Sequence, residues 1–96
     1  MVGLTHLHAS RVSIREQATL VVDMVRSRQR VTFFELISEV KERAVVVARF
    51  LSVLELYRLD AIGFSQENPL GELTLIWRSA NFDEELLATL GADYDE

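Results

Sequence analysis

The stretch Ile62–Trp77, IGFSQENPLGELTLIW, decides the fold of this chain because its apolar residues follow the period of a β-strand. At both ends of the stretch, apolar side chains stand at alternate positions, as they do when one face of a strand is buried. Pro69 and Gly71 lie between these ends and mark a turn. The stretch therefore predicts an antiparallel β-hairpin with a loop at residues 67–72.

Three helices are predicted before the hairpin. Ser13 and Glu16 have the spacing of a capping box, in which each side chain bonds a free backbone amide at the helix start. Thr32 and Glu35 repeat this spacing. The predicted helices begin at Ser13, at Thr32 and near Arg43, and the first and third extend to about Ser27 and Leu59. Three helices followed by a hairpin predict an α+β fold of the winged-helix type, in which Val31 could form a minor strand at the hairpin edge.

We divide the chain into a winged-helix domain over residues 13–78 and two flanking segments. Residues 1–12 are expected to be loosely ordered or to derive from an expression vector. Residues 79–96 form an acidic extension, in which Asn81 or Asp83 could cap a short helix. The apolar side of that helix is formed by Leu86, Leu87 and Leu90.

The composition excludes several kinds of functional site. The 96 residues contain no cysteine, which rules out disulfides, thiolate metal sites and cysteine nucleophiles. The two histidines, His6 and His8, have no third ligand nearby, and there is no glycine-rich phosphate loop. No apolar run approaches the roughly 20 residues of a membrane-spanning helix. We therefore expect a cytoplasmic protein with no enzymatic activity, no metal, no cofactor and no membrane partner.

The charge changes sign along the chain. Residues 1–58 carry nine basic and six acidic groups, whereas residues 59–96 carry one basic and nine acidic groups. An acidic second half, which includes the hairpin loop, repels the phosphates of nucleic acid. A DNA-binding winged-helix regulator nevertheless remains an alternative, because a basic cluster ends the first predicted helix. This cluster consists of Arg26, Arg28 and Arg30.

The third predicted helix is apolar on two sides, which is more than one core contact requires. Its first arc consists of Val47, Phe50, Leu51 and Leu54, with Arg58. Its second arc consists of Val45, Val46, Val53 and Leu56, beside Arg49, and its polar strip consists of Ser52 and Glu55. Two interpretations of the second arc stay open. Either the leucines of the acidic extension cover it, or it contacts another protein or a second copy of this chain.

The stretch Phe50–Leu75, FLSVLELYRLDAIGFSQENPLGELTL, resembles the C-terminal winged helix of bacterial kleisins of the segregation and condensation protein A (ScpA) family. The matching residues are Phe50, Leu51, Leu54, Glu55, Leu56, Gln66, Gly71, Glu72 and Leu73. The family pattern also matches upstream of this stretch. The start of its second helix matches Val31, Phe33 and Leu36, and the first part of its third helix matches residues 46–51. The resemblance covers about residues 13–77. The chain departs from the family pattern at Ser52-Val53, where Ala-Leu is common, and at Leu70, where an aromatic residue often precedes the glycine.

The resemblance implies a non-enzymatic subunit of the bacterial condensin-like complex, which is associated with the nucleoid. Its C-terminal domain would dock on the ATPase head of an SMC subunit and close a ring around DNA, so that DNA contact is indirect. ScpB would bind a middle segment of the family that these residues lack, and we therefore interpret the chain as a C-terminal fragment. A weak homodimer remains an alternative.

The SMC contact is predicted at six apolar residues on the third helix and the second hairpin strand. They are Phe50, Val53, Leu56, Tyr57, Leu73 and Leu75. Because Val53 and Leu56 belong to the second arc, a charge at either is expected to abolish binding and leave stability almost unchanged.

Overall fold

A computed structural model of the protein describes residues 12–90, in which helices and a small sheet alternate along the chain. The elements in chain order are α1 (Ile14–Arg28), β1 (Arg30–Thr32), α2 (Phe33–Ile37), α3 (Arg43–Arg58), β2 (Ile62–Ser65), β3 (Thr74–Trp77) and a 3-10 helix (Glu84–Thr89). Residues 1–11 of the predicted loose N-terminal segment lie outside the described part.

Both predicted capping boxes lie at helix starts. The Ser13 hydroxyl accepts from the Glu16 amide at 3.2 Å and opens α1. At α2 the capping box is complete, because the Glu35 amide donates to Thr32 Oγ1 and the Thr32 amide donates to Glu35 Oε1. These local bonds satisfy amides that have no partner within the helix, and they confirm where α1 and α2 begin.

The sheet is antiparallel, with the strand order β1-β3-β2. Leu75 of β3 lies opposite Val31 on one side and opposite Phe64 on the other. The hairpin and the minor strand at Val31 are therefore confirmed. The architecture is α+β, and it is compatible with the predicted winged helix.

The orientation of α3 differs from the one predicted. Val53 and Leu56 of its second arc face the core and are fully buried together with apolar residues of α1 and the sheet, whereas Val45 and Val46 of the same arc are half-buried. Ser52, predicted on a polar strip, is also buried, and its hydroxyl lies 3.1 Å from the Ile14 carbonyl oxygen and 2.8 Å from that of Ala48. A hydroxyl that bonds backbone carbonyls can be buried at little cost, which is why a serine can face the core here.

Residues 79–90 of the acidic extension pack against α1 and β3, and residues 91–96 lie outside the described part of the chain. The Phe82 ring lies edge-to-face on Trp77 at 5.5 Å, and the Arg26 guanidinium carbon lies 5.2 Å from the Trp77 ring and 5.7 Å from the Phe82 ring. Arg26 also pairs with Glu84 at 3.0 Å. Of the two predicted caps, Asp83 opens the 3-10 helix, because its carboxylate accepts from the Glu85 amide. The described part of the extension therefore reaches the core alongside α1.

Leu87→Ala is expected to lower the stability of the domain. Leu87 is buried in the same core cluster as the residues of α1, so its truncation removes apolar contacts and leaves a cavity. The expected loss is about 2 kcal/mol in the free energy of unfolding, measured by urea denaturation. The matched control is Leu86→Ala, since Leu86 is exposed and should change little. Equal losses at both positions would contradict this packing.

Candidate protein-docking surface

Most of the exposed large apolar side chains lie on one part of the molecule. Seven such residues occur within residues 12–90, and five of them belong to α2, α3 or the wing loop, as we call residues 66–73 between β2 and β3. We name these five the apolar face: Phe34, Val47, Phe50, Tyr57 and Leu70. The other two, Leu20 and Leu86, lie on α1 and the 3-10 helix.

Side-chain contacts connect the parts of the apolar face. On α3, Val47, Phe50 and Tyr57 are spaced so that they share one side of the helix. The Phe50 ring lies edge-to-face against Phe33 of α2, with centroids 5.8 Å apart. At the other end of α3, Tyr57 stacks on Phe64 of β2 at 4.6 Å. These ring contacts connect the exposed side of α3 to α2 at Phe50 and to β2 at Tyr57.

A groove extends the apolar face towards the wing loop. Its volume is about 370 Å³, and its walls come from α2 and the wing loop. It is lined by Phe33, Phe34, Ile37, Leu70, Gly71, Glu72 and Leu73. Because its lining is mainly apolar and it is open to solvent, the groove can accept an apolar side chain of another protein.

Hydrogen bonds hold the wing loop in place beside α2. The Phe34 amide donates to Glu72 Oε2 at 3.2 Å, which joins the loop to the first turn of α2. Within the loop, Gln66 Nε2 donates to the Gly71 carbonyl oxygen at 2.8 Å. A surface fixed in this way loses little conformational entropy when a partner binds.

The structure separates the six predicted contact residues into two groups. Phe50 and Tyr57 are exposed on the apolar face, and Leu73 is half-buried in the groove. In contrast, Val53, Leu56 and Leu75 are completely buried in the core. The expectation that a charge at Val53 or Leu56 leaves stability unchanged is therefore wrong, because either charge would enter apolar surroundings.

Three residues of the apolar face were not among the predicted contacts. Val47 belongs to the first arc of α3, from which only Phe50 was predicted to contact a partner. Phe34 directly follows Phe33, which packs against the core. The only sequence signal for the exposure of Phe34 was its position next to, and not within, the apolar side of α2. Leu70 carried a signal, since it departs from the family pattern in front of Gly71.

Two arginines of α3, the helix that would enter a DNA groove in a DNA-binding winged helix, are used within the fold. Arg49 donates from Nε to Gln17 Oε1 at 2.8 Å and from Nη1 to the Leu36 carbonyl oxygen, so it ties α3 to α1 and α2. Arg58 pairs with Glu55 at 2.9 Å. An arginine that satisfies internal acceptors is less available to base edges or phosphates.

Within residues 12–90, no group of three or more histidine, aspartate or glutamate side chains could hold a metal ion. His6 and His8 lie outside this range. None of the described helices has the length and hydropathy needed to cross a membrane.

An α+β fold with exposed large apolar side chains on neighbouring elements is typical of a small protein-binding domain. Comparison with known families gives a more specific assignment, because the model of the family "Segregation and condensation protein ScpA" matches residues 1–78. The chain belongs to this family, which confirms the resemblance found in the sequence. No curated protein and no solved structure matches the chain. Members of the ScpA family are kleisin-like, structural subunits of the SMC–ScpB condensin complex and act in chromosome segregation and condensation.

Proposed function

We propose that this chain is the C-terminal winged-helix domain of a kleisin and docks on the ATPase head of an SMC subunit through the apolar face. The family match supports the choice of partner. The observation that carries the proposal is the concentration of five exposed large apolar side chains on α2, α3 and the wing loop. Small monomeric domains seldom leave such a surface in water without a binding role.

The composition of the apolar face suits a protein partner. Three of its five residues are aromatic, and buried aromatic side chains supply much of the binding free energy at protein interfaces. Phe50 lies between Val47 and Tyr57 along α3 and contacts Phe33. Phe50 is therefore the residue we place at the centre of the contact.

The buried members of the predicted contact set have an indirect role in this proposal. Val53 and Leu56 of α3 are buried in the core, and Leu75 holds β3 between its two neighbours. They fix the orientation of α3 and the sheet, so that Phe50, Tyr57 and Leu73 are presented to the SMC head.

Docking on the head would place this domain at one closure point of the SMC ring. The protein would then act in the cytoplasm at the nucleoid, with DNA held by the assembled ring. ScpB would be a further partner, since members of the family act within the SMC–ScpB complex. These features extend the known role of the ScpA family to this chain.

Calorimetric titration of an SMC ATPase head into the 96-residue chain, with and without ATP, tests the proposal. We expect saturable one-to-one binding with a negative heat-capacity change, because apolar surface leaves water. Sedimentation of the chain alone is the control for self-association through the same face. Absence of binding under both nucleotide conditions would contradict the proposal.

The DNA-binding alternative predicts a different result. In a gel-shift assay at low salt, we expect no submicromolar complex of this chain with duplex DNA, because Arg26 and Arg49 are engaged within the fold. A tight, steeply salt-dependent shift would instead support a DNA-binding regulator. The matched variant carries Arg28→Ala and Arg30→Ala, since both side chains are exposed and would lose such a shift first.

A further inference from the structure

Leu70 combines two features that are unfavourable in the isolated domain. Its φ is 67°, in the left-handed region that side chains other than those of glycine, asparagine and aspartate rarely adopt. Its side chain is also fully exposed to water. Neither the backbone conformation nor the hydration of Leu70 explains why a leucine stands there.

Gln29 and Asp60 are the other described residues, besides glycine, with positive φ, and both are polar. Gln29 ends α1 and donates from Nε2 to the Arg26 carbonyl oxygen at 2.7 Å. The Asp60 carboxylate lies 3.6 Å from the Arg78 guanidinium. Their side chains make local polar contacts of a kind that the hydrocarbon side chain of Leu70 cannot make.

The turn at the tip of the wing loop favours glycine where Leu70 stands. The Gly71 amide donates to the Asn68 carbonyl oxygen at 2.8 Å, which closes a β-turn with Pro69 second and Leu70 third. Proline at the second position and positive φ at the third fit a type II turn, whose third residue is usually glycine. Gly71 meets a different need, because a Cβ there would lie 2.9 Å from the Asn68 carbonyl oxygen.

The strained turn is firmly held and points Leu70 away from the fold. The bonds from Gln66 to Gly71 and from Phe34 to Glu72 fix the wing loop within itself and against α2. Leu70 lines the apolar groove together with Phe34 and is fully exposed to water there. Strained residues that the surrounding structure holds in place are a recurring feature of binding sites.

We infer that Leu70 is an anchor residue of the docking surface and inserts its side chain into an apolar socket on the partner. The inference rests on the proposed docking on the SMC head and adds the residue at which the wing loop engages it. A leucine at this position lowers the stability of the free domain. It contributes favourably to the free energy of binding, because its side chain leaves water in the complex.

Leu70→Gly and Leu70→Asn test the inference, because both residues accept positive φ and both remove the hydrocarbon side chain. Each variant and the wild-type chain are measured by thermal unfolding and by titration with the SMC head. We expect thermal midpoints at or above that of the wild type and an affinity that is weaker by about tenfold or more. Leu20→Ala is the control, since Leu20 is an exposed leucine on α1, outside the apolar face, and should change neither quantity.

The outcomes separate the inference from the proposed function. If the wild-type chain binds the head and both variants bind equally well, the anchor role of Leu70 is overturned while docking stands. Thermal midpoints far below that of the wild type would also overturn it, because Leu70 would then be holding the wing loop together. If the wild-type chain does not bind the head, both proposals are overturned.

Discussion

Leu56→Glu is expected to unfold the domain. Leu56 has no exposed surface and belongs to the core cluster formed with α1 and the sheet. The substitution places a carboxylate in apolar surroundings and removes a large core side chain, at a combined cost of at least about 4 kcal/mol. Domains of this size have a total stability of about 5–15 kcal/mol. Far-ultraviolet circular dichroism during heating should therefore show a severely lowered transition or none.

Tyr57→Glu is the matched control for this experiment. Tyr57 is the next residue on α3, but half of its surface is exposed, so a carboxylate there stays in water. We expect a cooperative transition close to that of the wild type, reduced mainly by the lost stacking on Phe64. A Leu56→Glu variant as stable as Tyr57→Glu would mean that the second arc of α3 faces solvent, which contradicts the structure.

Phe50→Glu is expected to abolish docking on the SMC head while the domain stays folded. Phe50 is exposed at the middle of the apolar face, so the new carboxylate is solvated in the free domain. Folding loses the edge-to-face contact with Phe33, worth about 1 kcal/mol, and the partial burial of the ring, worth about 1 kcal/mol more, which is less than the total stability of such a domain. In the complex the same carboxylate would be buried against an apolar partner, and we expect the affinity to fall by about a hundredfold or more. Calorimetric titration with the head measures this loss.

Leu20→Glu provides the control for Phe50→Glu. Leu20 is exposed to a similar degree and also lies on a helix, but it belongs to α1 and is not part of the apolar face. The same change of charge there should leave the affinity for the head unchanged. If Leu20→Glu weakened binding as much as Phe50→Glu, net charge would explain the effect, and the proposed contact at Phe50 would be wrong.

The sequence predicted the parts of the fold that depend on neighbouring residues. The bonds of the Thr32–Glu35 capping box join residues three apart, so their spacing alone indicates where α2 begins. The β2–β3 hairpin was also predicted from neighbouring residues. Apolar and polar residues alternate at each end of its sequence, and Pro69 and Gly71 between them indicate a turn. Such features need no knowledge of which elements pack together.

The sequence could not determine which side of α3 faces the core. Both arcs of α3 are apolar, so the hydrophobic periodicity predicts a helix but does not indicate which of its sides is buried. The direction depends on distant contacts, such as the bond from the Ser52 hydroxyl to the Ile14 carbonyl oxygen and that from Arg49 to Gln17. A serine and an arginine were therefore taken as outward-facing residues, although both help to pack α3 against α1.

The docking surface was predicted in part for the same reason. Phe50 and Tyr57 were chosen as contact residues, and both are exposed, whereas Val53 and Leu56 came from the arc that is buried. The exposure of Leu70 depends on a turn in which Leu70 has a positive φ, and a leucine at that position does not predict such a conformation. The departure from the family pattern marks this position in the sequence, but only the structure gives its positive φ and its exposure.

Hydroxyl-radical footprinting of the 96-residue chain, alone and bound to an SMC head, tests most directly whether the apolar face is the docking surface. This method measures the solvent exposure of individual side chains, and aromatic residues and leucine react readily. We expect protection of Phe34, Phe50, Tyr57 and Leu70, with the exposed residues Leu20 and Leu86 reacting as in the free chain. Protection of Leu20 and Leu86, with the apolar face still reactive, would contradict the account.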